Sequence, residues 1–317
     1  MSQVLVTGAA GFIGSHLCES LLRRGHTVRG LDSFTEFYDP DRKHANAEAV
    51  SRDPCFELVS DDLLTARLEE VLDGVDLVAH LAGEPGVSNS WGPNFQRYVD
   101  RNVLATQRLL EAATGRGVSR FVYASSSSVY GTGADTLRAA GEPRPASPYG
   151  VTKLAAEALV GAYAGTGLST VSLRYFSVYG PRQRPDMAAH RFIECLLDGR
   201  PMTVYGDGRQ VRDFTYVDDI VEATVQALLA EVPTGAVLDV ASTQPTSVNT
   251  LVGHLEDLIG SEATRDTTDE RPGDVPRTEG EIGSASDQLG WKPTIDLRTG
   301  LKRQLDWHRS LRAGVLR

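Results

Sequence analysis

Short apolar runs alternate with longer amphipathic stretches through the first half of the chain. Residues 4–8 (VLVTG) read as a buried strand, and residues 12–24 space their apolar positions as a helix does, with Gly25 as the stop signal. Residues 27–32, 55–62, 76–83 and 120–131 predict four more strands, with a long helix near 94–114. A helix over about 149–164 then leads to a strand at 169–176. Strands separated by helices of this length need crossover connections, so the expected class is α/β, with a doubly wound parallel sheet covered on both faces.

Beyond Phe176 the alternation weakens, and Pro181, Pro185, Gly199, Pro201, Gly206 and Gly208 cut the chain into short pieces. Residues 219–230 are again helical and 236–242 form a strand, which predicts a return to the first sheet. From Val248 an amphipathic helix, a polar stretch over 262–276 and a terminal helix follow. The expected division is a domain of residues 1–176, to which 213–242 return, and a smaller lobe of 177–212 and 243–317. Ligands of such open sheets lie at the carboxyl ends of the strands, here against the smaller lobe.

Composition narrows the possible roles. The chain has 317 residues, 41% hydrophobic and 23% charged, the balance of an ordinary globular protein. A net charge of −10 argues against nucleic acid or an anionic membrane as partner. Cys18, Cys55 and Cys195 are scattered, with no metal-ligand spacing, so neither a metal site nor a disulfide framework is expected. No signal-like segment opens the chain, and no apolar run approaches the roughly 20 residues of a membrane span. A cytoplasmic protein is expected.

The stretch VTGAAGFIGSHL places Gly8, Gly11 and Gly14 between the first strand and the first helix. Gly8 permits a tight turn, Gly11 lets the backbone approach a pyrophosphate, and Gly14 lets the helix pack on the sheet. The phosphates then meet the free amides and positive end of that helix. The spacing, G-x-x-G-x-x-G, differs by one residue from the usual dinucleotide fingerprint. Asp32, at the end of the next strand, stands where a carboxylate hydrogen-bonds the adenosine ribose and repels a 2′-phosphate, which favours NAD over NADP. Asp62 and Leu63, after the third strand, are expected beside the adenine.

In SPYGVTKLAAEAL, Tyr149 and Lys153 lie four residues apart on one helix face. A phenol is a poor base at neutral pH, but a nearby ammonium and the positive nicotinamide both favour phenolate, so Tyr149 is a candidate general base toward an alcohol. Lys153 is also placed to hydrogen-bond the cofactor ribose.

These motifs, with HLAG, ASSSSVYG, LRYFSVYGPRQRPDM, VYGDGRQVRDFTYVDDI and LGWKPTIDL, resemble the extended short-chain dehydrogenases/reductases that act on nucleotide sugars, over nearly the whole chain. The resemblance implies a Rossmann-like fold and a catalytic set of Ser126, Tyr149 and Lys153, with Ser126 hydrogen-bonding the sugar 4-oxygen. It implies further NAD contacts from Phe12, Ile13, Leu81, Ala82 and Tyr175. It places Val204, Tyr205, Arg212 and Arg271 on the substrate, with the two arginines toward the diphosphate. It also implies a homodimer through the helices near 94–114 and 149–164. Gly83 replaces a usual Ala, and Ser88 stands where a basic residue is common.

Enzymes of this group first oxidise C4 of the sugar and differ in the fate of the resulting ketone. The 4,6-dehydratases carry an Asp-Glu pair where this chain has Ser127 and Ser128, and UDP-glucuronate decarboxylases carry Glu at the position of Ser128. Two hydroxyls do no acid–base work near neutral pH, which leaves epimerisation. Ser126, Ser127, Ser128, Ser177 and Arg184 offer donors with no carboxylate among them, a set suited to a C6 carboxylate. The stretch carrying Ser177 and Arg184 is similar to that of UDP-glucuronic acid 4-epimerases. The expectation is an NAD-dependent interconversion of UDP-glucuronate and UDP-galacturonate. A 4-epimerase of neutral sugars such as UDP-glucose, a UDP-glucuronate decarboxylase and a dinucleotide-binding sensor without turnover stay open as alternatives.

Overall fold

The computed structural model describes residues 1–131 and 142–314. Residues 132–141, within the first expected domain, and 315–317, at the end of the smaller lobe, lie outside them. Strand β1 (Gln3–Thr7) leads through α1 (Phe12–Arg23) to β2 (Thr27–Asp32), and α2 (Pro40–Ser51) connects to β3 (Phe56–Ser60). A single turn, α3 (Leu68–Val71), precedes β4 (Leu77–His80). The next rod consists of α4 (Phe95–Tyr98), a π-helical Val99–Leu104 and α5 (Ala105–Gly115); β5 (Arg120–Ser126), α6 (Pro148–Tyr163) and β6 (Ser169–Tyr175) come after it. Beyond these lie β7 (Ser177–Tyr179), α7 (Ala188–Asp198), β8 (Met202–Tyr205), β9 (Val211–Tyr216), α8 (Val217–Leu229) and β10 (Ala236–Val240). The chain closes with β11 (Pro245–Ser247), α9 (Val248–Ile259), β12 (Arg265–Thr268), α10 (Gly283–Leu289) and α11 (Leu297–Arg312).

Seven strands form one parallel sheet in the order β10-β6-β5-β4-β1-β2-β3. The order reverses between β1 and β4, and a crevice opens there beyond the strands' carboxyl ends. One face buries Leu17, Leu21, Ile220 and Val225 of α1 and α8; the other buries Leu109, Leu110, Ala156 and Val160 of α5 and α6. The first of these cores runs on into the smaller elements through Phe192, Leu251 and Leu301. Outside the main sheet, β9 pairs in parallel with β7 and antiparallel with β11, and β8 pairs in parallel with β12.

Three local features depart from the sequence expectation. The helix expected near 94–114 is interrupted by its π-helical segment, which widens the turn and alters which side chains share a face. The strand expected over 120–131 ends at Ser126, where a 3₁₀ turn begins. The polar stretch 262–276 contains β12, every residue of which is exposed.

His80 joins three of these elements. Ala82 N–H donates to Thr7 Oγ1 (3.1 Å), and the Thr7 hydroxyl donates to His80 Nδ1 (2.7 Å). On the other ring edge Nε2–H donates to Thr106 Oγ1 (2.9 Å), whose own proton goes to the Asn102 carbonyl (2.7 Å). This sequence of donors selects the neutral Nε2–H tautomer and leaves no acceptor for a second proton. Burial, and then the charge of Lys153, pushes His80 down to about 3; burial, and then Arg182, pushes His16 down to about 4. An unfolded chain binds both protons near pH 6.5 while the folded one refuses them, so stability falls as pH drops below about 6.5. Asp239, pushed up to about 6 by burial, opposes this in part. Burial also pushes His190 down to about 3 and Lys153 down to about 7, and both add to the loss, so the expected net loss between pH 7.5 and 5.5 is about 4 kcal/mol, read from urea midpoints. A midpoint that holds or rises over that interval contradicts it.

Candidate active site

The cofactor end of the crevice is built by backbone approach. Gly8 takes φ +72° and its N–H donates to the Leu31 carbonyl (2.8 Å). A Cβ on Gly14 would fall 2.1 Å from the Gly8 carbonyl oxygen, so only glycine lets α1 start this close to the strand end. Gly11 caps α1 without any side-chain hydrogen bond, which leaves the first-turn amides of Phe12 and Ile13 uncapped at the cleft wall. These features fit a dinucleotide pyrophosphate.

Asp32 is 4% exposed, at the end of β2. Its carboxylate accepts from Ala10 N (3.1 Å) and Phe34 N (2.9 Å) and pairs with Lys43 Nζ at 2.9 Å. Lys43 was not anticipated from the sequence. It is carried by α2, whose N-terminus is capped by Asp39 with Pro40 in the first turn, and Asn46 of the same helix donates to the Ala10 carbonyl (3.1 Å). Asp62, Leu63, Leu81, Ala82 and Tyr175 line the same cleft, of about 390 Å³. Asp62 accepts from Leu64 N (2.9 Å), and the Tyr175 hydroxyl shares a hydrogen bond with Thr224 (2.7 Å).

At the reacting end, Ser126 closes β5 and its Oγ accepts from Ser128 N (3.2 Å), capping the 3₁₀ turn Ser127–Val129. Ser147 Oγ caps α6 by accepting from Gly150 N (3.1 Å), with Pro148 in the first turn. A Cβ on Gly150 would lie 2.4 Å from the Ser128 carbonyl oxygen, so a glycine is needed for α6 to press on this turn. That contact sets Tyr149 beside the Ser126 hydroxyl at the cleft wall. Burial pushes the Tyr149 phenol up, while the Ser126 hydroxyl and the Arg184 charge pull it back. Sequence reasoning expected Lys153 to supply that cation. Here the Lys153 ammonium donates to the Ala124 carbonyl and lies 4.3 Å from the Tyr123 ring centroid.

Burial pushes Lys153 down to about 7, opposed by the charge of Glu157 one further turn along α6. Glu157 is itself buried and tightly held. It accepts from Ser125 Oγ (2.6 Å) and takes a two-pronged bond from Arg174, with Nε at 3.0 Å and Nη2 at 2.5 Å. Arg174 also donates to the Tyr130 hydroxyl (2.7 Å), which donates to Asp239 (2.7 Å).

Ser127, Ser128, Ser177 and Arg184 line the cleft around Tyr149. Both oxygens of Asp186 hold the Arg184 guanidinium, at 2.9 Å each, and the Phe37 ring centroid lies 5.6 Å from it. The donor set is not free of carboxylates, as the sequence suggested. Glu84 lines the same cleft, 2% exposed, and its charge is met by Arg97 (2.8 Å) and Arg101 (2.9 Å). Val204, Tyr205, Arg212 and Arg271 do not line this cleft. Arg271 lies 3.5 Å from the Tyr205 ring centroid on the β8 side, and Arg212 pairs with Asp274.

Residues 4–241 match the NAD dependent epimerase/dehydratase family. A Bacillus subtilis protein described as an uncharacterized UDP-glucose epimerase is 41% identical over 98% of this chain and 99% of its own length. The UDP-glucuronate 4-epimerase of Thermodesulfobacterium geofontis is 37% identical over 97% and 96%. In three dimensions, the UDP-glucuronic acid 4-epimerase of Bacillus cereus, solved in complex with UDP-glucuronic acid and NAD, superposes with a TM-score of 0.94. It is 41% identical, with 98% of this chain and 99% of that one covered. By sequence and by structure, this chain belongs to the NAD dependent epimerase/dehydratase family.

Proposed function

We propose that this chain is an NAD-dependent 4-epimerase that interconverts UDP-glucuronate and UDP-galacturonate. The observation that carries the reading is the ring of Ser126, Ser127, Ser128, Ser177 and Arg184 around Tyr149, with no Asp-Glu pair on the turn after β5. The Bacillus cereus complex with UDP-glucuronic acid and NAD supports it. Bound along the glycine turn and Asp32, NAD supplies the hydride acceptor and, in its oxidised form, a positive charge beside the phenol. Tyr149 takes the proton of the sugar 4-hydroxyl and later returns it, while Ser126 hydrogen-bonds the same oxygen. Lys153 holds the cofactor ribose, and Val204, Tyr205, Arg212 and Arg271 take the uridine diphosphate.

The 4-keto sugar is a β-keto acid and loses CO₂ if its C5–C6 bond stands perpendicular to the carbonyl plane. Hydroxyls that hold the carboxylate near that plane suppress the loss. Proton NMR of the protein with UDP-glucuronate and NAD tests the assignment. UDP-galacturonate rising to a plateau supports it, UDP-pentose means decarboxylation, and turnover of UDP-glucose alone moves the substrate to neutral sugars. Ser128→Glu is expected to lower kcat/KM for UDP-glucuronate about 100-fold, the cost of setting like charges together. Unchanged kinetics would place Ser128 away from the carboxylate.

The working unit we propose is a homodimer. Leu104 and Val151, each 47% exposed, stand on adjoining helices, and Ala155, Ala158 and Ala162 extend the α6 stripe at helical spacing. Light scattering should give twice the chain mass, and Val151→Glu with Leu104→Glu should halve it. A wild-type monomer rules the dimer out.

A further inference from the structure

We propose that Gln304, on the last helix, and Glu19, on the first, are positioning residues for recognition of the substrate's charge, because they hold the loop that carries Arg184 into the cleft. The inference rests on the reading that Arg184 meets the C6 carboxylate of the sugar. Arg184 lies on the crossing from β7 to α7. Two turn bonds shape that crossing, from Gln183 N to the Gly180 carbonyl and from Met187 N to the Arg184 carbonyl, 3.2 Å each. They tie the loop to nothing outside itself. Side chains from two distant helices do that.

Gln304 stands beside Leu301 and Leu305 on the buried face of α11 and is 0% exposed. A leucine would suit that position, and burying an amide is costly unless its hydrogen bonds are made. Here they are made to the loop. Oε1 accepts from Gly180 N (3.0 Å), and Nε2 donates to Gln183 Oε1 (2.8 Å). Gln183, itself 3% exposed, donates to the Val178 carbonyl (2.9 Å) and accepts from His190 N (2.9 Å), an amide in the first turn of α7. Met187, the N-cap residue of that helix, supplies no side-chain bond, so Gln183 does the capping. One pair of buried amides therefore fixes the end of β7, the middle of the loop and the start of α7.

The outer side of the loop is held by α1. Arg182 takes the left-handed conformation (φ +64°), which persists in an arginine only where the surroundings over-determine it. Its guanidinium donates to Glu19 Oε1 (2.6 Å) and to Ser15 Oγ (3.3 Å). Arg182, Gln183 and Arg184 are consecutive. Anchoring the first to α1 and the second to α11 leaves the third directed at the cleft, whose wall it lines.

The test is steady-state kinetics with UDP-glucuronate at saturating NAD, with UDP as a competitive inhibitor that lacks the sugar. Gln304→Leu is expected to raise KM for UDP-glucuronate about tenfold, with kcat lowered by less than about threefold and the inhibition constant of UDP within about twofold of wild type. Arg184→Met is expected to raise the same KM about 30-fold, and adding Gln304→Leu to it changes KM by less than about twofold, because the two act through one contact. Glu19→Ala, at a partly exposed position, is expected to raise KM about threefold in the wild-type background and not in Arg184→Met, which keeps the proposal open to refutation if Gln304→Leu fails to fold. Weakening of UDP and UDP-glucuronate alike, or a full additive effect on top of Arg184→Met, makes these residues packing groups and overturns the inference. An unchanged KM in folded Gln304→Leu or in Glu19→Ala overturns it while leaving Arg184 in its role. An unchanged KM in Arg184→Met overturns the reading of Arg184 and the inference with it.

Discussion

Tyr149→Phe is expected to lower turnover of UDP-glucuronate by roughly a thousandfold, within the range set by loss of a general base, while NAD and the substrate still bind within about threefold. Phenylalanine keeps the ring that packs edge-on against Tyr98, with centroids 6.2 Å apart, so the wall of the cleft is preserved. What disappears is the hydroxyl that Ser126 and Arg184 jointly stabilise against burial. Single-turnover NMR beside equilibrium binding separates the two effects. Lost binding would make Tyr149 a structural residue, and retained turnover would place the base elsewhere.

Glu157→Gln is expected to be the most destabilising conservative change near the site, by about 3–5 kcal/mol, because it leaves Arg174 buried without its counter-charge. Its second effect is on Lys153. That ammonium is already pushed down to about 7, and losing the Glu157 carboxylate moves it lower still. Lys153 then deprotonates at lower pH, so the alkaline limb of kcat shifts toward acid. The double variant Glu157→Gln with Arg174→Met removes both charges and should recover most of the stability without restoring the pH profile. A profile that returns with stability would reduce Glu157 to a packing role, and an unmoved melting temperature in the single variant would contradict the buried pair.

Apolar periodicity was sufficient for the main sheet, because parallel strands buried on both faces read as unbroken apolar runs. The glycine turn and Asp32 were legible for a related reason, since each answers a steric or hydrogen-bonding demand that few residue types meet. The helix α2 escaped notice because its face toward the sheet buries Lys43 and Asn46 beside Ala47 and Val50, and no apolar stripe betrays it. Lys43 went unseen with it. The π-helical segment was equally hidden, since an extra residue in one turn leaves composition unchanged while it regroups the side chains. Asn102 lies in that segment and bonds both the Glu84 backbone and Thr152. Strand β12 has no buried residue at all, so only its pairing with β8 defines it. Glu84 was missed because two arginines, thirteen and seventeen positions away, make its burial tolerable.

The turn after β5 separates architecture from chemistry. Its path is set by Ser126, which caps it, and by Gly150, whose missing side chain lets α6 pack against the Ser128 carbonyl, so the backbone holds without help from the side chains of 127 and 128. Those two positions are interchangeable fittings on a rigid mount. Carboxylates, amides or hydroxyls exchanged there redirect what becomes of an oxidised sugar without disturbing the strand, the helix or the cofactor cleft, so a library confined to two codons is enough to explore new outcomes on this scaffold.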